Sequence, residues 1–332
     1  MKAGAYFFNG WTSGSNLITQ RLSTEFQDRE PLNGWLDDSN ETMEYNIAKA
    51  AEGGLSFFAF DWYYPEAAEK ETVLNNCIDR YLSAKNRDII EFCLLVANHE
   101  GFRIFQKDWE EVVARWISIM KEKNYLKVDD KPFLIFFSPL NICLEGPDNV
   151  KKCIDYLQKS AREAGLPGVS IASCENVNNV RSLDALYLRF LEGFTHITAY
   201  NYVSGWHYQG PEKYIHPYSE LAEDHKRIWD YLSNQKYLPY IPCVTCGWDA
   251  RSWETEEKPE EHSWYYPDRT PEQVVSLVEE AGKWMDAHPD LTTKERITLL
   301  YAWNEFGEGG YIAPTKGDNG RYLGLLGDYL KK

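Results

Sequence analysis

The sequence predicts an α/β fold, a single (β/α)8 or TIM barrel that takes up residues 1–332 as one domain. Short apolar runs rich in Val, Ile, Phe and Tyr recur eight times, and helical patterns separate them, which is typical of a parallel sheet. No Gly-x-Gly-x-x-Gly turn follows an early strand, which argues against a doubly wound dinucleotide-binding sheet. Barrels of this kind reach such lengths around one core.

The predicted strands are apolar on both faces, as expected where helices cover a barrel and side chains fill its interior. They span residues 5–8, 55–60, 91–97, 133–137, 169–173, 196–200, 238–245 and 297–303. Before the last strand, apolar residues from Val274 to Met285 recur at helical spacing. Thr270 and Gln273 predict a capping box at the start of that helix.

The composition excludes some partners and favours others. A net charge of −16 leaves no basic surface for nucleic acid. No apolar run reaches the roughly 18 to 20 residues that cross a bilayer, so we expect no membrane insertion. Aromatic residues make up 15%, with 12 Trp and 22 Tyr, and flat rings stack on sugars as well as filling cores. A neutral or cationic ligand, such as an oligosaccharide or polysaccharide, is therefore favoured. The alternative explanation of the aromatic residues is that they fill the core.

The seven cysteines are expected to be reduced and mostly buried, Cys153 among them, because most lie in apolar strand or helix patterns. Cys243 and Cys246 have the spacing of half a zinc site, but no second pair accompanies them. We therefore expect no metal and no cofactor. No signal-peptide pattern precedes the first strand, which is expected of a cytoplasmic chain, or of a periplasmic or secreted one whose signal has been removed.

Polar and aromatic side chains follow most of the predicted strands, at the end where TIM barrels hold their active sites. The candidate substrate-binding residues are Asp61, Trp62, Asn98, His99, Tyr200, Asn201, Trp248, Asp249, Arg251 and Asn304. A lone Asn or Asp among them could instead serve a turn or a helix cap, and a ring could fill the core. His99 could cap its strand, and Arg251 beside Asp249 is typical of a structural ion pair. The long, Trp- and Tyr-rich segment 249–268 predicts a sugar-binding wall.

Glu305 and Glu308 are the candidate catalytic residues. In a continued strand, a separation of three would place them on opposite faces, so the chain must turn, and Gly307, Gly309 and Gly310 allow it to do so. Two carboxyls in one aromatic-walled pocket repel, which keeps one protonated while the other stays ionised, as glycosidic bond cleavage requires. Alternatively, one of the two is a solvated loop residue or a helix cap.

A family resemblance is carried by the segment YAWNEFGEG at residues 301–309. It resembles the last-strand motif of glycoside hydrolase family 99-like proteins, which include WbsX-type proteins of surface-polysaccharide loci. Further matching segments run through most of the chain: GW at 34–35, FAFDWY at 58–63, YLKVDDKP at 125–132 and GWD at 247–249.

The resemblance implies a (β/α)8 barrel and, in the hydrolase members, retaining cleavage of α-mannosidic bonds without a metal. It gives Glu308 the role of general acid/base. It gives Glu305 the role of the base that deprotonates the sugar's own 2-hydroxyl, and Asn304 that of fixing the substrate. The hydrolases usually carry a His and a Thr-Gln segment after the first Glu, where this chain has Gly307 and then Gly309-Gly310-Tyr311, so the sugar and the linkage stay open.

We therefore expect a hydrolase of an α-linked oligosaccharide or polysaccharide. Since WbsX-type members are often described as glycosyltransferases, glycosyl transfer in surface-polysaccharide assembly is an alternative, although the sequence has no Asp-x-Asp metal motif or nucleotide-binding turn. A non-catalytic glycan-binding barrel is an alternative from a different functional class.

Overall fold

The computed structural model describes residues 1–144, 149–203, 215–254 and 264–332. Eight parallel strands form its main sheet: β1 Lys2–Phe7, β2 Phe57–Trp62, β3 Glu91–Val96, β4 Lys131–Phe136, β5 Ser170–Cys174, β6 His196–Thr198, β7 Cys243–Thr245 and β8 Ile297–Tyr301. The helices are α1 Gln20–Glu25, α2 Asn40–Glu52, α3 Asn76–Ser83, α4 Trp109–Met120, α5 Asn149–Glu163, α6 Val177–Val180, α7 Leu183–Glu192, α8 Tyr218–Leu232, α9 Pro271–Ala287 and α10 Arg321–Leu330.

The eight strands follow one another around a barrel. Their order in the sheet is β7-β8-β1-β2-β3-β4-β5-β6, and each neighbouring pair is parallel. An isolated parallel bridge between Ile197 and Tyr240 joins β6 to the segment that leads into β7. The Ile241 amide donates to the Ile197 carbonyl at 2.9 Å. The predicted (β/α)8 barrel is therefore confirmed.

Most strand boundaries agree with the prediction to within a few residues, and the seventh strand differs most. The sequence predicts a strand over 238–245, whereas β7 contains only Cys243–Thr245. Pro239 and Pro242 have no amide hydrogen to donate, so this segment cannot form a continuous ladder with its neighbours. The helix signals were accurate: Thr270 and Gln273 form the predicted capping box of α9.

One cysteine expectation is wrong. Cys143 and Cys153 form a disulfide with a Cα–Cα distance of 6.5 Å, so Cys153 is not a reduced thiol. Cys143 lies in the short strand Ile142–Leu144, which packs against α5, where Cys153 lies. Such a contact between two elements is not apparent from the spacing of cysteines in the sequence. The other five cysteines are free and buried.

No helix in the described parts of the chain is long and apolar enough to cross a membrane.

Candidate active site

A cavity of about 560 Å³ opens at the carboxyl ends of the barrel strands. Its walls combine acidic, aromatic and aliphatic side chains. Among the described residues, they include Phe8, Leu17, Asp61, Tyr63, Leu74, His99, Phe102, Phe137, Tyr200, Trp253, Glu305 and Glu308. These described wall residues include three carboxyl groups and no Lys or Arg. Such a lining offers carboxyl and hydroxyl groups for hydrogen bonds and rings for apolar contacts, and no positive charge.

A tight hairpin after β8 brings Glu305 and Glu308 to this cavity. Residues Asn304–Glu305 pair antiparallel with Gly310–Tyr311, so the chain reverses between the two carboxyls. Gly309 has a φ of 71°, in the left-handed region that favours glycine. A Cβ at Gly310 would lie 2.2 Å from the ring of Tyr301, so only glycine fits there. The odd spacing of the two Glu residues is thus accommodated by a glycine turn.

Glu308 is partly buried and bound by a tyrosine. The hydroxyl of Tyr301 in β8 donates to its carboxylate. Burial raises the pKa of Glu308 to about 7, and the Tyr301 hydrogen bond opposes this effect. A carboxyl that titrates near neutral pH can both give and take a proton under ordinary conditions.

Glu305 is almost completely buried, with 4% of its surface exposed. The Tyr200 hydroxyl lies 2.5 Å from its Oε1. Its Oε2 is buried and has no hydrogen-bond partner among the described residues. Burial raises the pKa of Glu305 well above its usual value, and the negative charges of Glu308 and Asp61 add to the effect.

Asp61 adds a third carboxyl from the end of β2. It is 2% exposed, and its Oδ2 lies 3.0 Å from the same Tyr200 hydroxyl. Burial is the main cause of the strongly raised pKa of Asp61, and the charge of Glu308 contributes. Three carboxyls in one cavity cannot all be ionised at neutral pH without a large electrostatic cost.

Five of the predicted candidates line the cavity: Asp61, His99, Tyr200, Glu305 and Glu308. The ring of His99 packs edge-to-face against Tyr63 and Phe102, and its Nδ1 lies 2.9 Å from the Glu100 carbonyl. Aromatic rings therefore hold His99 in the wall.

Two predicted asparagines bind backbone instead of facing the cavity. The Asn304 amide accepts from the Phe8 amide at 2.8 Å and donates to the Phe8 carbonyl at 2.7 Å. The Asn98 amide pairs in the same way with the backbone of Ser138, at 2.9 and 2.6 Å. Both side chains fix loops at the strand ends, because they satisfy backbone groups that the strands leave unpaired.

Three further candidates lie outside the cavity wall. Trp62 is buried against Trp116 of α4, which places it between the sheet and the helices. Asn201 donates to the Gly247 carbonyl at 3.3 Å, and so links the loops after β6 and β7. Trp248 is partly buried, and its ring centre lies 6.5 Å from that of Tyr301. Strand-end position alone did not distinguish these residues from those that reach the cavity.

Asp249 and Arg251 form the ion pair that the sequence also allowed. Arg251 Nε lies 2.7 Å from Asp249 Oδ1, and neither residue lines the cavity. Asp249 also pairs with buried Arg29 at 2.6 Å, and Arg29 donates to the Phe306 carbonyl at 3.1 Å. The Asp249 amide donates to the Glu308 carbonyl at 2.6 Å. This network holds the hairpin that carries Glu305 and Glu308.

We expect Asp249→Ala to destabilise the fold by about 3–5 kcal/mol, because it leaves the buried Arg29 guanidinium without its carboxylate. Denaturant unfolding would measure the loss. Arg29→Met in the Asp249→Ala background should recover part of it, since the unpaired charge is then removed. A loss below about 1 kcal/mol for Asp249→Ala would show that Arg29 does not depend on this partner.

The predicted wall 249–268 is described only in part, since residues 255–263 lie outside the described residues. Trp253 lines the cavity. Trp264 is partly buried, and its indole donates to the Val203 carbonyl at 2.5 Å. The described ends of this segment thus contact the cavity and the loop after β6.

Among the described residues, no group of three or more His, Cys, Asp and Glu side chains is arranged to hold a metal ion.

The sequence matches the family described as "Glycosyltransferase WbsX" over residues 8–326, nearly its whole length. The chain belongs to the WbsX family. The comparison with curated proteins gives no match.

Solved structures show which fold this WbsX-family chain has. A "glycoside hydrolase-like protein" superposes with a TM-score of 0.69 at 14% identity, covering 98% of this chain and 93% of the other. The glycoside hydrolase family 99 endo-α-mannosidase from Bacteroides thetaiotaomicron gives 0.61 at 12% identity, covering 99% and 96%. An exo-β-1,4-mannosidase from Opitutaceae bacterium strain TAV5 gives 0.54 at 11% identity, covering 100% and 59%. The fold is thus the barrel found in glycoside hydrolases.

Several residues that build the site are not among the candidates predicted from the sequence. Tyr301 lies inside the last predicted strand, and only its inward-facing position beside the Glu motif could have indicated a contact with Glu308. Tyr63 follows Asp61 and lines the cavity. Arg29 is far from the hairpin in the sequence, and no local pattern predicts its contact with Phe306.

Proposed function

We propose that this WbsX-family chain is a glycoside hydrolase that cleaves an α-linked oligosaccharide or polysaccharide at the cavity. The observation that carries the proposal is a pair of carboxyls, Glu305 and Glu308, in one aromatic-walled cavity at the barrel mouth. Each accepts a hydrogen bond from a tyrosine hydroxyl, and the pKa of Glu308 is raised to about 7. Glycosidases use such pairs with divided roles.

In the proposed first step, the Glu305 carboxylate takes the proton of the sugar's 2-hydroxyl. The 2-oxygen then attacks the anomeric carbon. The bond to the leaving group breaks, and the departing oxygen takes the proton of Glu308. The product of this step is a 1,2-anhydro sugar, with Glu305 protonated and Glu308 ionised.

In the second step, water attacks the anomeric carbon and opens the strained ring. Glu308 takes the proton of the water, and Glu305 returns its proton to the 2-oxygen. Both carboxyls thereby regain their starting states, and two inversions retain the anomeric configuration. Glu308 acts as acid and then as base, for which a pKa near neutral pH is suited.

Substrate contacts in this proposal come from side chains that line the cavity. His99 and Tyr200 supply polar groups, and Phe102, Phe137 and Trp253 supply rings for stacking on sugar faces. Asn304, Asn98 and Asn201 support the site without contacting the substrate in this proposal, since their amides bind backbone groups.

Glycosyl transfer is the second candidate, because the family description names a glycosyltransferase. A nucleotide-diphosphate donor requires cations, either Lys and Arg side chains or a bound metal, to balance its phosphates. The described part of the cavity wall offers carboxyls and no Lys or Arg, which favours hydrolysis.

The deciding experiment is release of reducing ends from α-linked glycans, α-mannan-type chains first, by the purified protein. We expect release without added nucleotide sugar and loss of release in Glu308→Gln. Binding of a glycan without turnover would make the chain a glycan-binding barrel. Turnover that requires a nucleotide sugar would make it a transferase.

The acidic cavity also predicts selectivity for charge. We expect a glycan with a uronic acid as the sugar whose glycosidic bond is broken to be cleaved at least about tenfold more slowly than its carboxyl-reduced form. The reason is that like charges in a partly dry cavity repel by about 1.4 kcal/mol or more, which corresponds to a factor of ten in rate. Equal kcat/KM values for the two glycans would contradict this expectation.

A further inference from the structure

One tyrosine hydroxyl lies between two carboxyls in the cavity. Tyr200 Oη is 2.5 Å from Glu305 Oε1 and 3.0 Å from Asp61 Oδ2. A phenol hydroxyl has a single proton, so it can donate fully to only one of the two oxygens. For both contacts to be hydrogen bonds, one of the carboxyls must carry a proton and donate it to the Tyr200 oxygen.

The difference between the two distances indicates which group donates in each of the two hydrogen bonds. Hydrogen bonds from a hydroxyl to an ionised carboxylate measure about 2.5–2.7 Å, whereas neutral pairs are longer. The short contact to Glu305 therefore fits Tyr200 donating to an ionised Glu305. The longer contact fits a neutral Asp61 donating to Tyr200.

The surroundings of Asp61 disfavour its negative charge. Its Oδ1, like Oε2 of Glu305, is buried and has no hydrogen-bond partner among the described residues. The titratable groups that face Asp61 and Glu305 are tyrosines, thiols and one further carboxyl: Tyr63, Tyr200, Tyr301, Cys77, Cys174 and Glu308. None of these groups is positively charged. Hydrogen bonds from Tyr200 and Tyr63 favour a negative charge on Asp61, but burial outweighs them.

We propose that Asp61 is a positioning residue that stays protonated and donates to Tyr200, which in turn donates to an ionised Glu305. The inference rests on the proposed function, because Glu305 must be ionised to take the 2-hydroxyl proton. Asp61 acts through Tyr200: it fixes the direction of the hydroxyl and keeps a second negative charge away from Glu305. The burial that raises the pKa of Asp61 supports this arrangement.

The protonation of Asp61 can be measured without any substrate. At pH 8, where Glu308 is mostly ionised, we expect the infrared spectrum to contain a carboxylic acid C=O band that disappears in Asp61→Asn and persists in Glu305→Gln. Absence of the band in the wild type would overturn the proposal. A band that persists in Asp61→Asn and disappears in Glu305→Gln would also overturn it, since Glu305 would then be the protonated carboxyl that donates to Tyr200.

Kinetics give a second test, with the conservative variant as the control. Asp61→Ala should lower kcat/KM about tenfold or more, the effect of losing one buried hydrogen bond in such a network. Asp61→Asn should recover most of this loss, because its amide N–H donates to Tyr200 as the neutral acid does. If Asp61→Asn is as defective as Asp61→Ala, Asp61 acts as a carboxylate and the proposal is wrong.

Tyr200→Phe gives a third test, the position of the acidic limb of the kcat/KM profile, which a purely structural role of Tyr200 would leave unchanged. Loss of the donor to Glu305 should raise its pKa and shift the acidic limb of the kcat/KM profile upward by about one pH unit. An unshifted limb would overturn the role of Tyr200 as donor to Glu305. If the wild type cleaves no glycan, the proposed function fails, while the infrared measurement still decides the protonation of Asp61.

Discussion

Glu308→Gln should lower kcat on a natural glycan by about 10³-fold, because the glutamine can neither protonate the leaving group nor activate water. A glycosyl fluoride needs no proton on its leaving group, so the first step should recover with that substrate. Azide needs no general base, and its addition should restore the second step and give a glycosyl azide of retained configuration. Steady-state kinetics and product analysis measure all three effects.

The pH dependence of kcat/KM should follow the titration of Glu308. Glu308 must be protonated to act as the acid, and burial raises its pKa to about 7. The kcat/KM of the wild type should therefore fall as the pH rises through about 7. Glu163→Gln, at an exposed position on α5, is the matched control and should keep the wild-type profile. An alkaline limb that stays in place in Glu308→Gln would assign the acid role to another group.

Glu308→Gln should increase the stability of the fold, although it lowers activity. The pKa of Glu308 rises from 4.5 to about 7 on folding, so the folded chain binds the proton more tightly than the unfolded chain. The free energy of unfolding of the wild type therefore decreases as the pH rises between these values. Glu308→Gln removes this loss and should be more stable than the wild type by about 1–2 kcal/mol at pH 8, with a smaller difference at pH 5.

The barrel could be predicted because its signal repeats along the chain. Eight apolar strands with amphipathic helices between them leave few alternatives for packing. Local signals such as the Thr270 capping box were equally readable. The seventh strand was predicted too long because its apolar composition concealed two prolines that cannot donate to a ladder. The pairing of Cys143 with Cys153 depends on how a short strand meets α5, which no local pattern encodes.

The candidate site was predicted in its location but only partly in its contacts. Strand ends mark the mouth of a barrel, so Asp61, Tyr200 and Glu305 could be assigned to one region. Position at a strand end does not tell whether a side chain faces the cavity or binds a neighbouring loop, as Asn304 does with Phe8. Contacts across the barrel, such as that of Tyr200 with Glu305, join residues about a hundred positions apart and require the closed sheet.

Glu305→Gln should abolish turnover and change the affinity for an unreacted glycan by no more than about tenfold, since a base acts mainly in the transition state. The substitution preserves size, and the glutamine carbonyl can still accept from Tyr200, so the cavity should keep its shape. Calorimetric titration gives the affinity, and single-turnover kinetics give the rate of cleavage. Activity within about tenfold of the wild type would remove Glu305 from the mechanism.

A substrate with fluorine in place of the 2-hydroxyl separates the two ways in which Glu305 could act. If Glu305 is the base for 2-hydroxyl attack, the wild type should neither cleave this substrate nor become labelled by it. If the carboxylate attacks the anomeric carbon directly, the 2-fluoro sugar should accumulate as an ester on Glu305, which mass spectrometry would detect. The short contact with Tyr200 stabilises the carboxylate for either role, so the labelling experiment, rather than the contact, distinguishes a base from a nucleophile.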